Sequence, residues 1–365
     1  MNTTSTEAAV RGRVLSPREA AARPWQLVIV GGGPAAAACG LSAATAGLRV
    51  LIVERSRMPR TKLCGCCLSP HGQAELAKMG LPLAGPSAGV PLKQLRLVAP
   101  GREALLPLTG PQALSRDRLD SSLLGLAVDR GCCLLPETAV LSVADDDALA
   151  RLSCRTGPEI TDHDPLFEPS LRPAATSFDL TASCVVLATG LTDSVRLRGF
   201  QADPGDSVTA APSGRIGLGA TLPPDSAPLA AGELIMVIEP YGYCGMVLLE
   251  DGRIDIAAAV DAAAVSQTSP ADLLRTMLAK TGLGPLPLLT ARIRGTPPLT
   301  HRRRRTQGRV FRVGDAACYV NQELIGGHDN IRIFEPQKSV HSSAVNIKYS
   351  ILKALCSRNR LKHRN

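Results

Sequence analysis

Aromatic residues make up only 3% of the 365-residue sequence, and Trp25 is the single tryptophan. That leaves little material for the stacking surfaces on which single-stranded nucleic acid is held, so no nucleic acid partner is expected. A long uninterrupted apolar run is also missing. The most hydrophobic stretch, Leu27 to Val53, is broken by Gly31, Gly32, Gly33, Pro34 and Arg49, which fits strand, turn and helix better than a transmembrane segment. Residues 1–24 lack the apolar core of a signal peptide and are expected to form a disordered lead. The eleven cysteines are odd in number and scattered, unlike a secreted disulfide framework, and a reducing cytoplasm suits them better. Cys64 and Cys67 form a nominal C-x-x-C, yet no second such pair or close histidine pair accompanies them, so no metal site is expected.

The net charge of +9 is concentrated at one end. Seven basic residues and no acid lie between Pro336 and Asn365, which leaves about +2 for the rest. From His328 onward there is no glycine, although all 33 precede it. This abrupt change marks 321–365 as an atypical basic tail, and a frameshifted or spliced end is the expectation drawn from it.

What the sequence does contain begins at Leu27-Val28-Ile29-Val30, a strand-like run followed by Gly31-Gly32-Gly33-Pro34-Ala35-Ala36 and an alanine-rich helical segment. A second run, Arg49 to Val53, ends in Glu54, the spacing of a dinucleotide site. Gly31 permits a tight turn, Gly33 lets backbone approach a pyrophosphate, and Ala36 lets helix and strand pack closely. Pro34 and Ala35 open the helix, whose free N–H groups favour an anion. Glu54, with Arg55 after it, stands where ribose hydroxyls would be bound, and its charge disfavours a 2′-phosphate.

Arg60-Thr61-Lys62-Leu63-Cys64-Gly65-Cys66-Cys67-Leu68-Ser69-Pro70 follows, and here the chain resembles the geranylgeranyl reductase and aromatic-hydroxylase superfamily of FAD-dependent oxidoreductases. The resemblance implies an α/β fold, a Rossmann-like FAD-binding domain (GxGxxA) with an inserted, mainly antiparallel β-sheet substrate domain. It places Lys62, Cys64 and Gly65 near the flavin, with Cys64 as the candidate catalytic acid. Ser115 reads as the cap of a helix whose Arg116 would reach the cofactor. Cys184 to Gly190 is a strand ending in Ala188-Thr189-Gly190, where hydroxylases of the family carry Asp-Gly; Thr189 tilts the reading toward the reductases. Arg309 to Ala317 matches the late family strand with its closing Gly314-Asp315-Ala316-Ala317, Asp315 being suited to accept hydrogen bonds from ribityl hydroxyls. Between them lie strand-like runs at 234–238, 245–249 and 254–260 and a helix-like run at 271–280. Tyr241 and Tyr243 are candidates for the substrate cavity, or for ordinary core.

The expected division is therefore an FAD-binding domain from 25–80, 112–194 and 308–320, and a substrate domain from 81–111 and 195–307. The expected activity is FAD-dependent oxidoreduction of a small apolar substrate, most like reduction of prenyl double bonds. The alternatives are an aromatic monooxygenase and a catalytically defective flavin-binding remnant. A tryptophan-type halogenase is disfavoured, because a paired tryptophan motif cannot be built from Trp25 alone. No second dinucleotide fingerprint follows Glu54, so electrons are expected from NAD(P)H docking without its own domain or from a donor protein. The arginine run 302–305 reads as a solvated loop, the alternatives being a contact to NADPH phosphate or to a membrane surface. The expected location is cytoplasmic, with peripheral membrane contact as the variant.

Overall fold

The computed structural model describes residues 13–85, 88–145, 148–157, 175–192, 194–199, 214–303 and 306–319. The proposed tail, from residue 321, lies outside them. Two large sheets organise the described residues. The first has nine strands, with Trp25–Val30 at its centre between Val50–Val53 and the long strand Thr176–Leu187, all parallel. Cys133–Leu135 extends it beyond Val50–Val53, again in parallel.

These strands form because they are short runs of branched apolar residues whose two faces are both covered. All four residues of Val50–Val53 are buried, as are Leu27 to Val30. One face packs on the helix Pro34–Thr45 and the other on the antiparallel ribbon Thr138–Asp145 and Ala150–Thr156. Close approach of helix to sheet is set by small residues: Ala36 is fully buried, and a Cβ on Gly40 would lie 3.1 Å from Ile52 Cδ1. The neighbouring helix Arg116–Asp129 begins at Ser115, whose hydroxyl accepts from the Arg118 N–H, and buries Leu123, Leu124 and Ala127.

Thr176–Leu187 serves two partners along one edge. Its first half pairs with Ala150–Thr156 antiparallel, whereas Val185 to Leu187 pair in parallel with Val310–Arg312. Registry then aligns the strand ends: Val30 lies opposite both Val53 and Leu187, and Leu187 opposite Arg312. Gly31, Glu54, Ala188 and Val313 therefore all leave the sheet at one edge, the carboxyl end where open α/β sheets bind ligands.

The second sheet contains Gln94–Ala99, Arg102–Pro107, Arg215–Leu222, Glu233–Glu239, Gly242–Leu248, Ile254–Asp261 and Arg294–Pro298. It is antiparallel except where Glu233–Glu239 meets Gln94–Ala99. The helix Pro270–Ala279, capped by Ser269, covers one face with Leu273, Leu274, Met277 and Leu278.

Some expected boundaries move. Residues 13–24, assigned to a disordered lead, are ordered. Ser16 and Glu19 form a capping box on the helix Pro17–Ala21, Val14 bridges Leu134, and Trp25 Nε1 donates to the Ala20 carbonyl. Arg196–Arg198 pairs with Thr138–Asp145 and so belongs with the first sheet rather than with the substrate domain. Thr306–Gln307 likewise joins the first sheet through Val310–Arg312. Among the described residues, no helix is long and apolar enough to cross a membrane.

Candidate functional site

A groove runs along the edge where the strands end. Part of it is a cavity of about 320 Å³ lined by Gly31, Gly32, Glu54, Arg55, Lys62, Ala188 and Thr189 among others. Gly31 has φ +112°, and a Cβ there would come within 2.4 Å of the Ala188 carbonyl oxygen. Glycine is thus required both by backbone conformation and by space. Glu54 is buried, accepting from the Gly32 N–H through one carboxylate oxygen and from the Ser56 N–H at 2.8 Å through the other. The acid expected to face ribose also fixes the glycine turn.

Gly33 is the N-cap of Pro34–Thr45 and supplies no side-chain cap, so the helix start presents unbonded N–H groups and positive dipole. In front of it stand three charged side chains. A Cβ on Gly33 would lie 3.7 Å from an Arg60 nitrogen, 3.9 Å from Arg116 and 4.0 Å from Asp120. Asp120 is fully buried and takes both Arg116 Nε and Nη2 at 2.9 Å, while Arg60 approaches at 3.3 Å. Arg60 Nε is buried and makes no hydrogen bond. That Nε faces Glu54 Oε1 at 3.6 Å, while Nη2 of the same guanidinium stands beside the uncapped helix start, a setting that suits an added anion such as a pyrophosphate.

Lys62 lies deep in the same region, its ammonium 3.0 Å from where a Gly190 Cβ would be. Burial pulls its pKa down, Arg60 and Arg116 pull it further, and Asp315 and Asp120 oppose them. The turn Gly314–Ala316 arrives from the far end of the chain with Gly314 at φ +59°, and a Cβ there would lie 2.8 Å from Ala35 Cβ. The turn bearing Asp315 consequently abuts the start of the helix that follows the glycine turn.

Two residues hold that turn in place. His301, 3% exposed, sits with Nε2 2.7 Å from the Asp315 carbonyl oxygen and 2.9 Å from Arg303 Nη1. Arg303 donates to the Leu191 carbonyl at 2.9 Å, and its N–H donates to the Ala317 carbonyl at 2.8 Å. The arginine run read as a solvated loop thus contributes a structural clamp through Arg303; Arg302 is exposed as expected.

Beyond the anion end, Cys64, Cys66 and Cys67 gather at one apolar cluster. Cys64 is held down to about 5 by a hydrogen bond from Cys66 and, against burial, by the Arg116 guanidinium. Burial lifts Cys67 to about 12 and Tyr319 to about 12, the latter helped by Asp315, Tyr243 and Cys64. Tyr243 packs with Cys64 and Cys67 and lies 5.8 Å beneath the Arg215 guanidinium. Tyr241 packs instead with the core beneath Pro270–Ala279, so the two tyrosines do not share one cavity. Gly65 is exposed, as is Arg55 at the mouth of the groove. Sequence reasoning passed over Arg60, Asp120, His301 and Arg303. Asp120 had a legible signal, an acid four residues after Arg116 on a helix face. Among the described residues, no group of three or more His, Cys, Asp and Glu side chains is placed to hold a metal.

Comparison with known proteins places this architecture. The myxobacterial chondrochloren halogenase CndH superposes with a TM-score of 0.63 at 19% identity, over 90% of this chain and 73% of that one. A geranylgeranyl bacteriochlorophyll reductase-like protein from Thermoplasma acidophilum gives 0.62 at 17%, over 91% and 78%. The peptidyl tryptophan dihydroxylase QhpG gives 0.64 at 21%, over 93% and 69%. The fold is that of the FAD-dependent halogenases, hydroxylases and geranylgeranyl reductase-like proteins, in agreement with the resemblance read from the sequence.

In sequence, the chain is similar to menaquinone reductases. It is 32% identical to that of Mycolicibacterium smegmatis over 128 residues, 33% of this chain and 31% of the relative, and 32% identical to that of Mycobacterium tuberculosis over 144 residues, 37% and 35%. The chain thus spans about a third of the length of the curated relatives it matches. No family model matches it.

Proposed function

We propose that the chain is an FAD-dependent oxidoreductase that reduces a double bond of an apolar, prenyl-type small molecule. The observation that carries this reading is the meeting of Gly314 with Ala35, which sets an acid from the end of the described chain beside an uncapped helix start from its beginning. Such a groove suits a long, two-ended ligand with phosphates in its middle. Glu54 would hold the adenosine ribose, the start of Pro34–Thr45 with Arg60 the pyrophosphate, and Asp315 the ribityl chain. Bound there, FAD supplies hydride transfer.

This chain's own residues do the remaining work. Arg116, fixed by Asp120, sets the electrostatics of the inner end and keeps Cys64 in its low-pKa environment. Cys64 is the candidate catalytic residue at this end, a thiolate at neutral pH that would have to take up a proton before it could give one. Leu95, Leu234, Met236, Val247 and Leu249 form an apolar cluster behind Cys64 and Tyr243, a surface suited to an apolar chain and to exclusion of water. Thr189 in place of the hydroxylase aspartate and the menaquinone reductase relatives both support the reductase side.

The purified protein is expected to be yellow, with flavin absorbance released by denaturation as FAD. Anaerobic addition of NADPH, or of a reduced donor protein, is expected to bleach it, and a prenyl substrate to restore the colour. Asp315→Ala should lose flavin while keeping the fold. A colourless protein that folds cooperatively and does not take up FAD would overturn the reading. Substrate-coupled oxygen consumption would replace reduction by monooxygenation.

A further inference from the structure

Glu250 and Arg253 lie outside the cofactor groove, in the turn that joins Gly242–Leu248 to Ile254–Asp261 in the second sheet. The turn is closed by its own backbone. The Leu249 N–H donates to the Arg253 carbonyl at 2.8 Å and the Gly252 N–H to the Leu249 carbonyl at 3.0 Å, with Gly252 at φ +82°. A turn braced in this way aims its side chains in fixed directions.

What they meet is the start of the helix Arg116–Asp129. Both carboxylate oxygens of Glu250 are taken up by one residue, the N-cap Ser115: one accepts from the Ser115 N–H at 3.0 Å and the other from its hydroxyl. The pair is nearly closed to water, the Glu250 side chain being 9% exposed and Ser115 2%. Arg253 grips the other side of Arg116. Its Nη2 donates to Asp117 Oδ2 at 2.7 Å, while its Nε is held by Asp251 Oδ2 at 2.6 Å. The negative charges of Glu250 and Asp117 thus stand at the positive end of the helix dipole, where they are stabilising. Helix starts are commonly capped from within a few residues of chain; this one is also gripped from 135 residues away.

Between the two grips lies Arg116. Its guanidinium runs one helical turn along to Asp120 and stands before the uncapped start of Pro34–Thr45. The residues just ahead of it reach the cysteine loop: the Leu114 N–H donates to the Cys66 carbonyl at 2.8 Å, and Ala113 pairs with Cys67. Ala113 to Asp117 therefore tie together the cysteine loop, the second sheet and the anion end of the groove.

We propose that Glu250 and Arg253 are positioning residues for Arg116: the turn of the second sheet seizes the helix on either side of that arginine and sets where its guanidinium stands. The bearing of Arg116 on FAD rests on the oxidoreductase reading above; its placement by the turn does not. Displacing the Glu250 carboxylate leaves both Ser115 donor groups unpaired away from water, so the grip holds the helix start in one place.

The test is the rate at which phenylglyoxal modifies Arg116 in the purified full chain at saturating FAD, read by peptide mass spectrometry with Arg96 as internal control. Arg96 is similarly shielded, 21% exposed against 16% for Arg116, and is paired with Glu103 in a different hairpin. Glu250→Ala should raise the Arg116 rate about tenfold, the worth of one hydrogen bond to a charged group, and leave Arg96 unchanged. Glu250→Gln, which keeps one acceptor, should fall between Glu250→Ala and the wild type, and Arg253→Ala should also raise the Arg116 rate. The dissociation constant for FAD should rise several-fold in Glu250→Ala, and Glu250→Ala should add nothing further once Arg116→Ala is present. An Arg116 rate that is unchanged, or that climbs in step with Arg96, overturns the positioning role, as do additive effects on FAD binding; Glu250→Gln and Arg253→Ala decide the matter should Glu250→Ala not fold. A chain that takes up no FAD yet shows the selective rise at Arg116 keeps the positioning role and removes the flavin reading. A yellow chain without the selective rise removes the positioning role alone.

Discussion

Gly314 packs against Ala35 so closely that a Cβ on the glycine would stand 2.8 Å from the Ala35 Cβ. The contact joins the start of the first helix to the turn bearing Asp315, and it leaves room for no larger residue on either side.

Gly314→Ala should therefore act twice, through its φ of +59° and through the overlap with Ala35. The expected cost is about 1–3 kcal/mol in urea unfolding, together with loss of retained flavin. Gly47→Ala is the control: at φ +79° with nothing within 4 Å, it should cost about 1 kcal/mol and leave flavin in place.

Asp120→Ala should be more damaging. The carboxylate is fully buried between Arg116 and Arg60, so its loss strands the Arg116 guanidinium and leaves Arg60 with Glu54 alone. A loss of about 3–5 kcal/mol is expected in chemical denaturation, with Cys64 becoming less reactive as Arg116 swings away. Unchanged stability would mean that the two arginines find other partners.

His301→Ala should loosen the Asp315 turn without touching the ligand groove. The Asp315 carbonyl would lose this partner, for about 1–3 kcal/mol. The dissociation constant for FAD is expected to rise while the substrate's Michaelis constant stays the same; an unaltered FAD affinity would show that Arg303 suffices.

Stability should respond to pH in a way that one substitution exposes. Cys64, depressed to about 5, sheds its proton in the folded state before the unfolded chain does, so its contribution grows with pH until the ordinary thiol range. Asp255, buried in Ile254–Asp261 and raised to about 8 by that burial and the Cys64 charge, keeps its proton in the folded state after the unfolded chain has lost it, so its contribution declines from the ordinary carboxylate range up to about 8. Between about 5 and 8 the slopes oppose each other, and the wild type should vary little. Asp255→Asn removes the declining part, and urea midpoints should then climb with pH over that interval. A flat profile in the variant would show that Cys64 is not a thiolate there.

The fold was legible because its signals are local. Branched apolar runs, the glycine turn and Ser115 ahead of Arg116 each announce an element within a few residues, and the structure places them within one to three residues. The helix Pro17–Ala21 was missed although Ser16 and Glu19 spell its capping box, because it is only 5 residues long and is held by Trp25 and Arg13 rather than by its own apolar face. Arg303 and His301 were missed for another reason. Their partners are backbone carbonyls of Asp315, Ala317 and Leu191, which carry no sequence identity to match against. Asp255 had a signal, an acid between Ile254 and Ile256 in a run otherwise apolar, but its meaning depends on a cysteine from a distant loop.

The long strand Thr176–Leu187 has a consequence for the order in which the molecule is made. Its last residues must wait for Val310–Arg312 to complete that edge, and Asp315, the acid proposed for the ribityl chain, follows only afterwards. A nascent polypeptide emerging from the ribosome would own a finished adenosine pocket for more than a hundred residues of synthesis before it owned a place for the rest of the coenzyme. On the proposed reading, tight capture of FAD would be a late event in biosynthesis, reserved for chains that have already built the second sheet.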